Sequence, residues 1–209
     1  FKSCLAFNMI LSIIIVTWNS EQDISNCLSS VYKSTRTYNT EIIVVDNNSS
    51  DQTVHTIHSH FPKVRVLKQH INVGFGQGNN IGLQKAKGAF ILLLNPDTII
   101  NAHAITTMMR FLHSHPQTGA VGPEQLNSSG EMIFMASRLS CIGILEYWVE
   151  KVIRLLSHKT TILFPWPHKT YMLNAGCLLL RADLLPTRQW FDPDFFLYGE
   201  EHHLFKQIL

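Results

Sequence analysis

Hydrophobic residues in the first half of the chain come in short, nearly unbroken blocks. Each block is followed by turn residues and then by a stretch with helical spacing. Leu11 to Val16, Ile42 to Val45, Val64 to Leu67 and Phe90 to Leu94 are such blocks. A short apolar run bounded by turn signals predicts a strand buried on both faces, the kind a parallel sheet requires. Between the first two blocks, Ile24, Leu28 and Val31 recur at spacings of four and three, which predicts a helix over 22–32. Asn47-Asn48-Ser49-Ser50-Asp51 supplies turn and cap chemistry ahead of a helix from Thr53 to His60, and a further helix is predicted from Asn79 to Ala86. Strands alternating with helices predict an α/β fold, a central, mostly parallel sheet flanked by helices and joined by right-handed crossovers.

After Pro116 the pattern loosens. Gly119-Ala120-Val121-Gly122-Pro123 predicts a turn or short strand. From Cys141 to Leu156 the residues Leu145, Trp148, Val149, Val152, Ile153, Leu155 and Leu156 make an amphipathic helical stripe, suited to a core or to a membrane surface or partner. A last apolar run, Cys177 to Leu180, ends at Arg181.

Composition changes this picture little. A chain of 209 residues with 45% hydrophobic content can bury one full core, so residues 1–209 are predicted to form a single α/β domain. A net charge of +2, with Lys and Arg scattered, offers no basic stripe for nucleic acid. Cys4, Cys27, Cys141 and Cys177 form no Cys-x-x-Cys pair, which argues against a zinc site and a disulfide framework and fits a reducing cytoplasm. No apolar run approaches the roughly 20 residues that span a bilayer. The apolar start from Phe1 leads directly into the first strand without a cleavage site, and the last residues, Leu204 to Leu209, resemble a helix cut before its cap, which predicts a longer parent protein.

Two of the predicted strands end on acids: Glu41-Ile-Ile-Val-Val runs into Asp46, and Phe90-Ile-Leu-Leu-Leu into Asn95-Pro96-Asp97. An open α/β sheet binds ligands in the crevice outside the carboxyl ends of its strands. There Asp46 is placed to accept from a base N–H or a ribose hydroxyl; its alternative role is a helix cap. Asp97, after the fixed backbone of Pro96, suits a hard cation shared with diphosphate oxygens. The first strand is followed by Thr17-Trp18-Asn19 and lacks the Gly-x-G-x-x-Gly fingerprint of a dinucleotide site. Glycines come instead in Asn72-Val-Gly74-Phe-Gly-Gln-Gly-Asn79-Asn80-Ile-Gly82, predicted as a loop whose amides can face an anion as it enters a helix; no Walker lysine follows. His55, His58, His60, His113 and His115 match no zinc pattern and are predicted to be ordinary surface residues, and the sequons at Asn47, Asn48 and Asn127 carry no meaning without a secretory signal.

Taken together, Ser12-Ile-Ile-Ile-Val-Thr-Trp-Asn19, the Glu41–Asp51 segment, Asn72–Gly82 and Leu92-Leu-Leu-Asn-Pro-Asp-Thr98 resemble family 2 glycosyltransferases, with the rhamnosyltransferase-like enzymes the nearest subgroup. Asn174-Ala-Gly-Cys-Leu-Leu-Leu-Arg181 and Phe191-Asp-Pro-Asp-Phe-Phe-Leu-Tyr-Gly-Glu-Glu-His-His-Leu204 match the family's later motifs in order. The resemblance implies a GT-A nucleotide-diphospho-sugar transferase fold and an inverting reaction. Thr17, Asn19, Asp46, Asn72, Gly74, Asn79 and Asn95 fall on the donor side, and Gly176 and His203 on the acceptor side. Asn95-Pro96-Asp97 stands where the family has Asp-x-Asp, making Asp97 the principal ligand for Mg2+ or Mn2+. Glu200 and Glu201 stand at the family's Glu-Asp pair, with Glu201 as the general base, one methylene longer than the usual Asp; His203 stands where the family tends to have an acid. The implied partners are a nucleotide-sugar donor, dTDP-rhamnose or a UDP-sugar, and a saccharide or lipid-linked acceptor for cell-surface polysaccharide, with cytoplasmic placement and peripheral contact with the inner membrane surface. A sugar nucleotidyltransferase and an inactive sugar-nucleotide or glycan-binding module are the alternatives.

Overall fold

A computed structural model describes residues 10–123, 125–127, 129–130, 132–133, 175–184, 187–194, 196 and 204. The chain divides into two compact units, one of Phe1–Pro123 with Ala175–Leu209 and one of Glu124–Asn174.

The first unit is built on a sheet. β1 (Ile10–Thr17), α1 (Ile24–Ser34), β2 (Asn39–Asp46), α2 (Thr53–His60), β3 (Arg65–Lys68), α3 (Phe75–Lys85), β4 (Phe90–Leu94) and α4 (Ala104–Ser114) follow in order, then β5 (Ala120–Val121). In the second unit, β6 (Gln125–Leu126) and β7 (Met132–Ile133) pair antiparallel. The chain rejoins the first unit as β8 (Cys177–Arg181) and a short 3-10 turn, Ala182–Leu184.

The sheet order is β3-β2-β1-β4-β8-β5. β3, β2, β1 and β4 are mutually parallel, whereas β8 runs antiparallel to both β4 and β5. Because the four parallel strands share a direction, their carboxyl ends form one edge, and the order reverses at β1, the topological switch point of such sheets.

Strand period 2 divides the core between two faces. Leu11, Ile13 and Ile15 of β1 pack in one cluster with Ile42 and Val44 of β2, Phe90, Leu92 and Leu94 of β4, and the buried stripes of α1 (Ile24, Cys27, Leu28, Val31) and α4 (Ile105, Met108, Met109, Leu112). Ile14 and Val16 point the other way, against α3. That helix approaches closely: a Cβ on Gly82 would fall 2.5 Å from Ile14 Cγ2, and one on Gly78 2.8 Å from Val16 Cγ1.

The predicted strands and the α2 helix lie where the apolar pattern put them. Two elements differ. The glycine-rich stretch is not a loop up to Asn79: α3 begins at Phe75 and takes Gly76 and Gly78 into its body. Helix α4 went unforeseen, although Ile105, Met108, Met109 and Leu112 have a helical stripe's spacing. The amphipathic segment Cys141 to Leu156 lies outside the described residues, as does the chain's start before Ile10. His55, His58, His60, His113 and His115 are exposed, as foreseen. Among the described residues no helix is long and apolar enough to cross a membrane.

Candidate active site

Two groups of predicted residues meet at the carboxyl edge, on either flank of β1. Register pairs Thr17 with Asp46 across β1 and β2, and Ile15 with Leu94 across β1 and β4, so Asp46 and the Asn95–Asp97 turn leave the sheet at the same end.

On the β2 flank, Asp46 is fully buried. Its Oδ1 accepts from the Thr17 hydroxyl at 3.3 Å and its Oδ2 from the Ser49 amide at 3.3 Å. A carboxylate with no exposed surface needs such donors. The loops after β1 and β2 are laced together around it. Asn19 donates its amide to Ser49 Oγ at 2.9 Å and accepts from the Ser50 amide through Oδ1 at 2.9 Å. The Ser20 amide reaches Thr53 Oγ1 at 2.8 Å, the Glu21 amide reaches Asp51 Oδ2 at 3.1 Å, and Glu21 Oε2 accepts from the Gln52 amide at 2.9 Å. Asn19 and Asn48 hold positive φ, 50° and 63°, which Asn tolerates better than other side chains. Just ahead of α2, Asp51 Oδ1 accepts from the Thr53 amide at 3.0 Å. Burial alone would raise the Asp51 carboxyl, but hydrogen bonds from the Thr53 hydroxyl and amide and from the Glu21 amide outweigh it and hold the group below its ordinary value.

This flank connects to α3 through Asn47, whose side-chain amide donates to Gly74 O at 3.0 Å. Asn72 Oδ1 accepts from the Gly74 amide at 2.9 Å, closing a tight turn in which Gly74 has φ +83°. A side chain there is strained by φ alone, and its Cβ would lie 2.3 Å from Phe196 O. Asn79, predicted on the donor side, is buried and donates to Phe75 O within its own helix at 3.0 Å.

On the β4 flank, the Asn95 amide donates to Gly176 O at 2.9 Å and the Thr98 hydroxyl to the same oxygen at 3.4 Å, so Gly176 and the Asn95–Thr98 turn are neighbours. Asp97 is exposed. Cys27 and Cys177 are both free, buried thiols. Each is pushed up to about 12, Cys177 by burial and Cys27 by burial first and then by the negative fields of Asp97, Cys177 and Asp23. The Cys27 thiol, in the first turn of α1, donates to Asn95 O at 3.6 Å, which sets the 95–97 turn beside that helix.

Glu200, Glu201 and His203 lie outside the described residues. Sequence reasoning passed over two residues of the site's frame. One is Trp18, between Thr17 and Asn19, with 57% of its surface exposed; a large aromatic directly after a strand that ends at the switch point was the available signal. The other is Asn80, buried in the middle of α3.

A divalent cation is compatible with this edge. Among the described residues no three His, Cys, Asp or Glu side chains come together. Mg2+ and Mn2+ at phosphate sites are commonly held by one or two carboxylates together with phosphate oxygens and water, and the exposed Asp97 can supply one such carboxylate.

The sheet order and this edge define a GT-A type transferase fold. The profile of "Glycosyl transferase family 2" matches residues 12–186, and the chain belongs to that family. TarS of Staphylococcus aureus, a poly(ribitol-phosphate) beta-N-acetylglucosaminyltransferase, is 30% identical over 111 residues, 51% of this chain and 19% of its own length. The N-acetylglucosaminyl-diphospho-decaprenol L-rhamnosyltransferase of Mycobacterium tuberculosis is 21% identical over 209 residues, covering 92% of this chain and 68% of the relative. The chain thus spans about a fifth of TarS and about two thirds of the mycobacterial enzyme. In three dimensions it resembles a TarS crystal structure with UDP, with a TM-score of 0.69, 22% identity, and coverage of 96% of this chain and 55% of the other. It also resembles the mannosyltransferase PcManGT of Pyrobaculum calidifontis with GDP-Man and Mn2+, with a TM-score of 0.63, 17% identity, and coverage of 92% and 49%.

Proposed function

We propose that the chain is the catalytic domain of an inverting glycosyltransferase, moving a sugar from a nucleotide-diphosphate donor to a saccharide or lipid-linked acceptor in cell-surface glycan synthesis. The observation that carries this reading is the placement of Asp46 and Asp97 on opposite flanks of β1 at one sheet edge. One ligand with a nucleoside at one end and a diphosphate at the other spans such an edge.

The nucleoside binds on the β2 flank. Trp18 offers its base an exposed indole face, and Thr17, Asn19 and the laced loops fix the surroundings. Asp46 is closed over by Thr17 and the Ser49 amide, so its contact with a base N–H requires the 47–50 turn to give. Asn72 and Gly74 shape the turn beside it. Asp97 would hold a Mg2+ or Mn2+, which would neutralise charge on the departing diphosphate, and Asn95 lies on the donor side of the same turn. Glu201 takes the proton from the acceptor hydroxyl as that oxygen bonds to the anomeric carbon, and the electron pair of the broken bond leaves on the diphosphate. Glu200, Gly176 and His203 complete the acceptor side. The donor is dTDP-rhamnose or a UDP-sugar: one relative is named for rhamnosyl transfer, and TarS binds UDP in its structure. The domain works in the cytoplasm against the inner face of the membrane, where a lipid-linked acceptor is reached.

The test is binding and turnover with UDP-GlcNAc and dTDP-rhamnose, with and without Mn2+. Asp97→Ala is expected to abolish the Mn2+-dependent part of donor binding; undiminished dependence removes Asp97 from the cation. Glu201→Gln is expected to keep donor affinity and lose about 10²–10⁴-fold in turnover.

A further inference from the structure

Beside its apolar stripe, α1 buries a second row of small polar side chains, Cys27, Ser30 and Ser34, at spacings of three and four. A buried hydroxyl is costly unless it is hydrogen-bonded. Ser30 Oγ donates to Cys27 O at 2.7 Å and accepts from the Ile100 amide at 3.0 Å. Ser34 Oγ shares its hydrogen between Ser30 O at 2.8 Å and Asn101 O at 3.1 Å, and the Cys27 thiol donates to Asn95 O at 3.6 Å. Bonding back to its own helix is the ordinary habit of a helical serine. The second set of bonds is not: all three side chains reach main-chain groups of one stretch, 95–101.

That stretch carries Asp97. The Thr98 amide donates to Asn95 O at 3.2 Å, closing a turn whose two central residues are Pro96, with its φ fixed by the ring, and Asp97. From the β8 side, Gly176 O accepts from the Asn95 amide at 2.9 Å and from the Thr98 hydroxyl at 3.4 Å. From the α1 side, Cys27 holds the turn's first residue, and Ser30 and Ser34 hold the chain just beyond its end, where Ile100 is buried. The main chain on both sides of Asp97 is thus pinned to two separate elements, while the Asp97 side chain itself stands exposed.

We propose that Ser30, flanked by Cys27 and Ser34, is a positioning residue for cation binding: the small polar row of α1 fixes the main chain at 95–101 and so sets where Asp97 presents its carboxylate. This rests on the role of Asp97 proposed above. Mg2+ is strict about ligand geometry, so a carboxylate on a turn gains from having that turn held. Ser30→Ala strands the buried Ile100 amide, and the loop has to shift for that N–H to find a new partner. Thr35 supplies the internal comparison. It is buried on the same helix and its hydroxyl donates to Val31 O at 2.9 Å, which fastens the helix to itself and not to the 95–101 stretch.

The experiment is a titration with Mn2+ in the presence of UDP or dTDP, the free ion read by electron paramagnetic resonance, alongside metal-free binding of the same nucleotides and thermal melts. Ser30→Ala is expected to weaken the apparent Mn2+ affinity about 10–100-fold, the usual cost of losing a group that orients a metal ligand, with metal-free nucleotide affinity unchanged. Cys27→Ala and Ser34→Ala are expected to move Mn2+ affinity in the same direction, and Thr35→Val to lower the melting temperature but leave Mn2+ affinity alone. Full Mn2+ affinity in Ser30→Ala, where Asp97→Ala has lost it, overturns the positioning role and leaves Asp97 as the ligand. Full Mn2+ affinity in Asp97→Ala, or no Mn2+ uptake by the unaltered protein with either nucleotide, sinks the reading of Asp97 and this proposal with it. An equal loss in Thr35→Val, or metal-free nucleotide binding that falls in step, reduces the row to general stability and overturns the proposal too. Should Ser30→Ala fail to fold, Cys27→Ala and Ser34→Ala decide, and undiminished Mn2+ affinity in both overturns it.

Discussion

The two faces of the sheet are covered in opposite ways. On one, α1 and α4 lay down stripes of Ile, Leu, Val and Met, and the helices stand off by the thickness of those side chains. On the other, α3 buries Gly76, Gly78, Asn79, Asn80, Gly82 and Leu83, so a single leucine is the only large apolar residue among them. The first face is a volume to be filled, and stability comes from removing apolar surface from water. The second is a matter of approach and of saturated hydrogen bonds, and it connects the β2 flank to Trp190 and Phe191. Filling can be done with many side chains, whereas close approach and an amide clamp admit few.

Substitutions on the two faces should therefore behave differently. The largest stability loss is expected on the filled face: Leu112→Ala leaves a cavity and costs about 2–5 kcal/mol, read from chemical denaturation, with nucleotide binding retained at temperatures where the variant is folded. Gly82→Ala comes next. Its new methyl carbon must push Ile14 or lift α3 off β1, an overpacking loss of about 1–3 kcal/mol, and UDP affinity is expected to fall with it because α3 braces the Asn47 and Gly74 turn. A neutral Gly82→Ala would break the contrast between the faces. Met108→Leu, volume-conserving in the filled face, is expected to cost less than about 1.5 kcal/mol and to leave binding and turnover unchanged.

The smallest effect is electrostatic. Hydrogen bonds hold the Asp51 carboxyl below its ordinary value, so its ionised form stabilises the folded state above that ordinary value, and the contribution fades as pH falls through the lower, folded one. Thermal melts taken down through the carboxylate range should show a shallower acid decline for Asp51→Asn than for the natural sequence. At the other end of the scale, Cys27 and Cys177 are raised to about 12. They favour the folded state below the ordinary thiol value and lose that contribution as pH climbs toward 12. Both should resist alkylation at neutral pH until the protein is unfolded.

Much of the filled face was legible in the sequence, because burial on both sides writes itself into β1, β2 and β4 as apolar runs, and α1 shows its stripe through Ile24, Leu28 and Val31. Helix α4 has the same signature in Ile105, Met108, Met109 and Leu112, but it follows the irregular 95–103 stretch without a cap residue to announce its start. The α3 face was harder to read. Its glycines suggested a loop, since glycine disfavours helices in isolation, yet here they are what lets the helix lie against Val16 and Ile14. Asp46 and Asp97 were legible through the strand-then-acid pattern. Asn80 was not, because its partners are backbone groups more than a hundred residues away, and a backbone amide leaves no trace in residue identity.

β5 and β8 are immediate antiparallel neighbours, with Val121 opposite Leu179 and Ala120 opposite Leu180. The chain therefore departs after Pro123 and comes back at Ala175 through two adjoining doorways on the same wall. A detour whose ends adjoin can be lengthened at little entropic penalty or replaced by a tight hairpin without re-threading the sheet. The register of β5 on β8 thus fixes both ends of the stretch between Pro123 and Ala175 on the sheet itself, whatever the length of chain between them.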